Sequence, residues 1–588
     1  MSNRSFLGLL LFCCFVLCFS CLAQPSTVGL PCQSDEDCLG TICFRSVCAG
    51  HTLEHSESYT DRPITEKTPE ESSSSEHLPE HQSPEEVVPE SHPSEAVEGL
   101  GEQRLAEKEE QSPTEQGDAA VNEPSSPELS EPVTPEKSTS ESIPEPFPIP
   151  EGAPKQQKWN TVQKVSGPYF NKGEGIKVRA DNKGNLYFAG PFLGTLTLGK
   201  HSIKNKSGTD TFVAKMDKAG NWLWLAHATG NHVVTNDLAL DKSGNVYIVG
   251  SFQGLAEFDS TVLAFKGGAD LFVAKLDSTG SWLWAKQAGN KRSEAAIGIA
   301  VDSKGHIYIT GSFDNDFAFD KHALKYTGSY GSGFVAKLDK SGKWAWAKAM
   351  NGYSIRGVRV VIDSKDAVYV MGEAAGQFSL DGITTKKPVG GHRRTFVLKF
   401  DVTGKLQWIR QEHHTKGGKS FCVDMAISPN DEIYVVGNFL GELGFGKHNL
   451  SQLGGPGQDD AFVAKLSTKG DWMWARHVGS AFDEHIWAVD VDRWGQVYIV
   501  GYFNGIATIG GNTHKSVGKR DLFAASLSSA GQWRWVQVAG STEEDYAHNV
   551  VVDVFGTLYV LGHFGGNGSF GSVKYASGRG SFIAKLKQ

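Results

Sequence analysis

GNVYIVG (244–250), GHIYITG (305–311) and GQVYIVG (495–501) are copies of one short motif from which the fold of this chain can be predicted. Four more copies complete the set: GNLYFAG (184–190), DAVYVMG (366–372), DEIYVVG (431–437) and GTLYVLG (556–562). Their tyrosines are Tyr187, Tyr247, Tyr308, Tyr369, Tyr434, Tyr498 and Tyr559, separated by 60, 61, 61, 65, 64 and 61 residues. A period this regular indicates a repeat architecture.

Each repeat contains further strand-like segments around the tyrosine motif. An apolar run such as AIGIAVDSKG (296–305) precedes it, and a segment such as LFVAKLD (271–277) and a tryptophan strand such as WLWAK (282–286) follow. These short runs are rich in Val, Ile, Phe, Tyr and Trp and are bounded by Gly, Asp, Asn and Ser, which is typical of β-strands. We predict an all-β fold with four strands per repeat, as in a β-propeller blade, and a short extra hairpin after the tyrosine strand.

The tryptophan strands indicate how such a ring closes. Only six of them follow the seven FVAK-like segments, because the chain stops at Gln588 just after FIAKLK (582–587). A seventh lies upstream, in KWNTVQKVSG (158–167), where Trp159 precedes Gly167 at the spacing of Trp222 and Gly230. We therefore predict a seven-bladed β-propeller over residues 156–588, whose last blade is completed by the N-terminal strand, leaving no open sheet edge.

The combined pattern D-x-x-G-N-x-Y-x-x-G-x-F and D-x-F-V-A-K-L-D-x-x-G-x-W-x-W-A resembles the bacterial SBBP β-propeller repeat family over about 159–588. Repeats four and six depart from it: Glu373 replaces the usual Ser or Asn, Leu406 the first Trp, and Ser526 the lysine. The resemblance implies an extracytoplasmic propeller of the cell envelope or a secreted protein. It does not imply one particular activity.

The region before the repeats predicts export. Arg4 is followed by the apolar run FLGLLLFCCFVLCFSCLA (6–23), which is short for a membrane span and suits a signal peptide over residues 1–23. The mature chain would then have no transmembrane span. In the alternative interpretation, Cys21 is lipidated and the protein is anchored to the outer membrane, although Cys18 and Phe19 make a poor lipobox.

Two further segments separate the signal peptide from the repeats. Residues 24–50 contain Cys32, Cys38, Cys43 and Cys48, which behind an export signal predict a small module with two disulfides in one of three pairings. A zinc site is the less favoured alternative, because paired C-x-x-C ligands are absent. Residues 51–155 predict a disordered linker: 51–150 hold 23 Glu and 2 Asp against 5 Lys or Arg, a net charge of −20.

The repeats carry the opposite charge. Residues 151–588 hold 50 Lys or Arg and 39 acidic residues, a net charge of +11. Scattered lysines that maintain solubility would explain this excess, and so would a face that attracts anionic envelope polymers. We expect a protein or an anionic glycan at the cell envelope as the partner, no specific nucleic acid, and a monomer.

Variable loops on a uniform scaffold usually carry binding residues. The loops that join one repeat to the next vary strongly, whereas the turns DKSGN (241–245) and DSTGSW (277–282) have close counterparts in the other repeats. Acids, imidazoles and aromatics in the variable loops suit contacts with sugar, peptide or metal, although any single one can equally be a solvated loop residue. The candidate binding residues are His413, His414, Asp483, Glu484, His485, Trp487, Glu544, Asp545, Tyr546 and His548.

No catalytic constellation is recognisable, and we expect neither a cofactor nor a metal. Cys422 lies in the apolar strand FCVDMAI (421–427), which predicts a buried thiol. The sequence favours a non-catalytic binding or scaffolding propeller exported to the bacterial envelope or surface. The alternative is an extracellular enzyme that acts on envelope or matrix polysaccharide with the acids and histidines of the variable loops.

Overall fold

The computed structural model describes residues 158–165, 175–387, 392–414, 418–575 and 578–587. The predicted signal peptide with Cys21, the cysteine-rich module with Cys32, Cys38, Cys43 and Cys48, and the predicted linker all lie outside the described residues. The described residues form 38 β-strands and no helix, which confirms the all-β prediction. None of them therefore belongs to an apolar helix of membrane-spanning length.

The strands are short in most cases, and a few continue through a turn into the next strand. The first half of the chain contains β1 (Lys158–Val165), β2 (Lys177–Ala180), β3 (Leu186–Phe192), β4 (Thr195–Leu198), β5 (His201–Lys204), β6 (Asp210–Met216), β7 (Trp222–Leu240), β8 (Val246–Phe258), β9 (Thr261–Ala264), β10 (Asp270–Leu276), β11 (Trp282–Ala288), β12 (Glu294–Val301), β13 (Ile307–Phe313), β14 (Phe317–Phe319), β15 (His322–Leu324), β16 (Ser332–Leu338), β17 (Trp344–Gly352), β18 (Ile355–Ile362) and β19 (Val368–Ala374). The second half contains β20 (Phe378–Leu380), β21 (Ile383–Thr384), β22 (Arg394–Phe400), β23 (Leu406–Gln411), β24 (Lys419–Ile427), β25 (Ile433–Leu440), β26 (Glu442–Phe445), β27 (His448–Ser451), β28 (Asp460–Leu466), β29 (Trp472–Ser480), β30 (Glu484–Val491), β31 (Val497–Ile509), β32 (Asn512–Leu527), β33 (Trp533–Ser541), β34 (Tyr546–Val552), β35 (Leu558–Phe564), β36 (Gly568–Phe570), β37 (Val573–Tyr575) and β38 (Gly580–Lys587).

Each sequence repeat forms an antiparallel unit of four strands, and we number the units 1–7 in chain order. In every unit the tyrosine motif is the second strand, and it pairs with the first strand and with the FVAK-like third strand. In chain order the units are β2-β3-β6-β7, β7-β8-β10-β11, β12-β13-β16-β17, β18-β19-β22-β23, β24-β25-β28-β29, β30-β31-β32-β33 and β34-β35-β38-β1. The long strand β7 is the fourth strand of unit 1 and continues as the first strand of unit 2.

The repeated lysine and tyrosine form one recurring contact. Tyr247 pairs directly with Lys275 across the second and third strands of unit 2. The Nζ of Lys275 lies 4.8 Å from the centroid of the Tyr247 ring, and the same contact recurs at 4.7–5.6 Å in units 1, 3, 4, 5 and 7. Unit 6 has Ser526 at this position. The sequence repeat therefore encodes a cation–π pair at the centre of six units.

The uniform turns are explained by their aspartates. In unit 2 the Asp241 carboxylate accepts hydrogen bonds from the backbone N–H groups of Ser243 and Asn245, at 2.9 Å each. It also accepts the Tyr247 hydroxyl at 3.0 Å, and Gly244 closes the turn at φ 79°. Glycine suits this left-handed conformation because it has no Cβ. These turns therefore maintain the scaffold.

The two tryptophans of each W-x-W strand pack in different places. Trp282 lies edge-on at 5.0 Å from Phe258 in the extra hairpin of its own unit. Trp284 packs against Tyr247 on one side and against Gly342, in a turn of the next unit, on the other. The second tryptophan thus fills the interface between units, and the extra hairpin predicted after each tyrosine strand is confirmed.

The two ends of the repeat region pair with each other as predicted. Strand β1 lies antiparallel to β38, with Trp159 opposite Leu586 and Val165 opposite Ser581. The Trp159 side chain is buried and lies 4.8 Å from Phe570, edge to face. The first strands of consecutive units also contact each other in order, and that of unit 7 contacts that of unit 1. The arrangement is propeller-like.

Charged side chains on the first strands connect units that are distant in sequence. Arg359 of unit 4 binds Asp424 of unit 5 at 2.6 Å and Asp237 of unit 2 at 3.4 Å. Arg179 of unit 1 also binds Asp237, at 3.0 Å. Burial, followed by the Arg359 charge, lowers the pKa of Lys177 in unit 1 to about 8. Buried charges of both signs therefore meet where the first strands converge.

Candidate functional site

An aromatic cluster with one arginine lies at the start of units 6 and 7. Its members lie at the same end of the four-stranded units, where one repeat joins the next. They lie near the beginning of a first strand, near the end of a second strand or just before the part of a third strand that carries the FVAK-like segment. We call it the ring cluster and define it as His485, Trp487, Tyr502, Arg520, Tyr546 and His548.

The base of the ring cluster is a stacked pair in unit 6. His485 of β30 is the direct partner of Tyr502 in β31, and their rings are 4.9 Å apart at 12°. Both residues are buried. Burial, with a smaller effect of the Arg520 charge, lowers the pKa of His485 to about 3. The imidazole is therefore neutral at physiological pH and provides a flat ring rather than a charge.

Arg520 joins the two units. Its guanidinium carbon lies 5.1 Å from the centroid of the Tyr502 ring, and Nη1 donates to the Tyr546 hydroxyl at 3.0 Å. Nη1 is also 3.6 Å from an oxygen of Glu544. The Arg520 side chain is one-third exposed, so its charge is held in place by aromatic contacts while it still faces solvent.

The remaining rings continue into unit 7. Tyr546 lies edge-on at 5.2 Å from Tyr502 and is stacked at 5.6 Å with His548 of the same strand. Trp487 contacts His548 at 5.6 Å across the boundary between the units. Trp487, Tyr546 and His548 are all partly exposed. Fixed rings of this kind supply contact area at a low cost in side-chain entropy.

Two acids lie beside the ring cluster. An oxygen of Asp459 is 3.5 Å from Nε2 of His485, and the backbone N–H of Asp459 donates to Asp483 at 3.0 Å. Burial raises the pKa of Asp459 to about 7, and the charges of Asp483 and Asp460 act in the same direction. Burial also raises the pKa of Asp483. Protonation of Asp459 near neutral pH would make the site more positive.

Two predicted site residues are buried and hold neighbouring loops by hydrogen bonds. Glu484 and Asp545 are fully buried. Glu484 accepts the Ser480 hydroxyl at 2.6 Å, and Asp545 accepts the Ser541 hydroxyl and the Gly565 backbone N–H at 2.9 Å each. Both carboxylates thus brace the loops that carry the ring cluster and do not face solvent.

The predicted histidines of unit 5 are separate from the ring cluster. His413 is exposed and is held by backbone hydrogen bonds with Gly444. The His414 side chain is fully buried, 3.5 Å from an oxygen of Glu412. Glu412 in turn accepts the backbone N–H of Thr395 at 2.8 Å. Neither histidine is among the rings that contact each other in units 6 and 7.

Sequence reasoning missed three residues of this region: Tyr502, Arg520 and Asp459. A usable signal was present for Tyr502, which follows the motif glycine where units 2 and 3 have Ser251 and Ser312. Arg520 and Asp459 directly precede the aspartates Asp521 and Asp460 of the third strands, at the end of the segment that follows the tyrosine strand, and the candidate residues were chosen from the loops between repeats instead. Their roles depend on contacts between residues 18–26 positions apart in the chain, which motif spacing does not reveal.

A second polar cluster lies at the equivalent position of unit 4. Glu373 binds Arg356 through two contacts, at 3.2 and 3.3 Å, and Arg393 at 3.2 Å. The Cys422 thiol of unit 5 is 3.9 Å from the same carboxylate. Cys422 is buried, as predicted, and burial raises its pKa well above the usual value. In the described part of the chain, no group of three or more His, Cys, Asp or Glu side chains is placed to hold a metal ion.

The similarity of this chain to known proteins is distant. No family model matches it. An uncharacterized WD repeat-containing protein of Acanthamoeba polyphaga mimivirus is 21% identical over 491 residues, covering 67% of this chain and 35% of that protein. The chain thus spans about a third of the length of that relative.

Solved structures give equally distant matches. A protein of unknown function from Dyadobacter fermentans is 10% identical, covers 74% of this chain and 99% of its own, and has a TM-score of 0.36. A gluconolactonase from Xanthomonas campestris is 11% identical with a TM-score of 0.29, covering 74% and 99% of the two chains. The NanB sialidase of Streptococcus pneumoniae is 10% identical with a TM-score of 0.31, covering 74% and 71%. Likenesses this weak assign no activity.

Proposed function

We propose that the seven units close into a seven-bladed β-propeller and that this propeller binds a glycan, without catalysis, through the ring cluster. The pairing of β1 with β38 and the contact between the first strands of units 7 and 1 support closure. A closed ring brings all loops between units to one face, where the ring cluster lies.

The observation that carries the proposal is the set of mutually fixed rings around Arg520. Trp487, Tyr546 and His548 are partly exposed, and each is held by contacts with another ring. Sugar rings have apolar faces that pack on aromatic side chains, and their hydroxyls accept hydrogen bonds from an oriented guanidinium. Exposed rings that are already ordered bind with little further loss of entropy.

Binding is favoured over catalysis because two of the predicted acids are already engaged. Glu484 and Asp545 are buried and hold loop groups, so they are not available to a substrate. The observation that favours an enzyme is Asp459, whose pKa is raised to about 7 beside His485. Carboxyl groups with such pKa values act as general acids in glycoside hydrolysis.

Export to a bacterial surface remains part of the proposal on sequence grounds alone. The apolar run 6–23, the four closely spaced cysteines and the acidic segment 51–150 are the features that support it. In this proposal the acidic segment is a tether that separates the propeller from the envelope. The resemblance of the repeats to the SBBP family agrees with such a location.

The test is a binding screen of the full chain against immobilised polysaccharides, with Tyr546→Ala and Trp487→Ala as site variants. We expect retention of at least one polysaccharide and its loss in both variants. Tyr353→Ala is the matched control, because Tyr353 is an exposed aromatic residue in the loop before unit 4. Absence of polysaccharide binding, binding only to a protein, or release of reducing ends from the bound polymer would each overturn the proposal.

A further inference from the structure

At three equivalent positions of the repeats, the side chains of units 4–7 differ in size and polarity from those of units 2 and 3. The first is the residue of the first strand that pairs with the second position. The second position follows the glycine of the tyrosine motif. The third position directly precedes the third-strand residue that lies opposite the residue after the second position. Units 2 and 3 have small side chains at these positions: Val234, Ser251 and Ala269, then Ala295, Ser312 and Gly331.

Units 4–7 have large polar or aromatic residues at the same positions. They are Arg356, Glu373 and Arg393 in unit 4, Phe421, Asn438 and Asp459 in unit 5, His485, Tyr502 and Arg520 in unit 6, and Tyr546, His563 and Arg579 in unit 7. The scaffold is the same in every unit, so it does not demand this difference. Side-chain chemistry is therefore concentrated over four consecutive units.

Unit 4 contributes more positive than negative charge. Arg356 and Arg393 share the single carboxylate of Glu373. The Arg356 side chain as a whole is 37% exposed. Lys419 follows in unit 5, with Nζ 5.3 Å from the centroid of the Phe421 ring. We call Arg356, Arg393 and Lys419 the basic cluster.

The basic cluster adjoins the ring cluster. Ser420, next to Lys419, donates its backbone N–H to the Arg393 carbonyl at 3.2 Å, and Ile486, next to His485, donates its backbone N–H to the Asn438 side chain at 3.1 Å. Asp459 of unit 5 is 3.5 Å from His485. Unit 5, which carries Lys419, thus connects the arginines of unit 4 with the rings of unit 6. Burial raises the pKa of both Asp459 and Asp483, the two acids beside His485, which disfavours their charged forms.

We propose that the ligand is an acidic polysaccharide, whose carboxylate or sulfate groups contact the basic cluster while a neighbouring sugar ring packs on the ring cluster. This inference rests on the proposed function and specifies its ligand class. Guanidinium groups match the planar, multi-oxygen geometry of carboxylate and sulfate, and two arginines held by one glutamate are already oriented. The small residues of units 2 and 3 leave room for the rest of the polymer.

The experiment compares charged and neutral forms of the same backbone. The full chain is titrated with polygalacturonate and its methyl ester, and with dextran sulfate and dextran, which distinguish carboxylate from sulfate recognition. We expect the charged form to bind about tenfold tighter or more, as for the gain of charge-assisted hydrogen bonds. The preference should weaken as salt is raised from 50 to 500 mM.

Variants separate the two clusters. Arg393→Gln and Lys419→Gln should each lose most of the preference for the charged polymer, whereas Tyr546→Ala should lose affinity for charged and neutral forms alike. Arg292→Gln is the matched control, because Arg292 is an exposed arginine in the loop before unit 3. Lys419→Gln tests the inference even if Arg393→Gln fails to fold, which thermal melting would reveal.

The outcomes distinguish the two proposals. Equal affinity for the charged and neutral forms, or an unchanged preference in a folded Lys419→Gln variant, would overturn the acidic ligand and leave glycan binding intact. Binding that Arg292→Gln weakens as much as Lys419→Gln would show nonspecific attraction and overturn the basic cluster as a site. Failure of all four polymers to bind would overturn both proposals.

Discussion

Arg359 and Asp424 form a 2.6 Å ion pair between the first strands of units 4 and 5, and the same guanidinium reaches Asp237 of unit 2. Both aspartates also accept backbone N–H groups of the following unit: Asp237 from Ile299 at 3.3 Å and Asp424 from Val489 at 3.1 Å. One arginine therefore holds together the first strands of three units, while its two partners reach into two more.

Removal of this arginine is the first prediction. Arg359→Leu leaves Asp237 and Asp424 without their shared cation, and a buried charge that loses its partner costs roughly 3–5 kcal/mol. We expect the free energy of unfolding, measured by urea denaturation, to fall by about that amount. Arg292→Leu, at an exposed position, is the control and should change it by less than about 0.5 kcal/mol. Equal stability of the two variants would contradict a structural role of the ion pairs.

The second prediction concerns the strand that joins the ends of the repeat region. Trp159 is buried against Phe570, so Trp159→Ala should destabilise the repeats by about 3–5 kcal/mol, as other large-to-small core substitutions do. Leu223→Ala is the control because Leu223 occupies a W-x-W strand but is exposed. Thermal melting of both variants provides the measurement. A Trp159→Ala protein that melts with the wild type would show that the β1–β38 pairing adds no stability.

The third prediction concerns pH. Burial raises the pKa of Glu294 and of Glu484 to about 8, and neighbouring aspartates contribute in both cases. A carboxyl group whose pKa is higher in the folded state than in the unfolded state stabilises the fold when protonated. That contribution is complete below the unfolded-state pKa of about 4.5 and is lost as pH rises to about 8.

We therefore expect the two glutamates to make the protein less stable at pH 8 than at pH 5.5. His485 acts in the opposite direction: its pKa is lowered to about 3, so its contribution is present above about pH 6.5 and is lost on acidification. Glu294→Gln should flatten the fall in stability between pH 5.5 and 8, measured by urea denaturation. Exposed Glu257→Gln is the control and should leave the slope unchanged.

The scaffold was readable from the sequence because it is built from contacts that recur in every repeat. Tyr247, Lys275, Asp241 and Gly244 have counterparts at a nearly constant period, and one tyrosine motif sufficed to place the second strand of each unit. The pairing of β1 with β38 was predicted from the count of tryptophan strands alone. Local spacing carries this information because each unit repeats the same local hydrogen bonds.

Only part of the candidate site could be predicted from the sequence. Loop variability pointed to His485, Trp487, Tyr546 and His548, which the structure brings together. It did not separate them from Glu484 and Asp545, which alternate with them along the same segments but point inward. Tyr502 and Arg520 also belong to the ring cluster, at positions where units 2 and 3 have small side chains. The repeat pattern predicts only the residues that recur, so it does not predict a site formed by residues that differ from it.

A turn residue that breaks the repeat provides the last prediction. Asp366 occupies the turn position where units 2 and 3 have Gly244 and Gly305, and it adopts the left-handed φ of 63°. Such a conformation costs a non-glycine residue about 1 kcal/mol or more. The Asp366 carboxylate accepts the backbone N–H and the hydroxyl of Ser303 in unit 3, at 2.9 and 2.8 Å, which links the turns of units 3 and 4.

Asp366→Ala keeps the strain and loses both hydrogen bonds, so it should destabilise the protein by about 1–3 kcal/mol in urea denaturation. Asp366→Gly relieves the strain while losing the same bonds, and it should therefore be more stable than Asp366→Ala by about 1 kcal/mol. If Ala and Gly destabilise equally, backbone strain at this turn is negligible; if neither destabilises, the link between the turns contributes nothing to the fold.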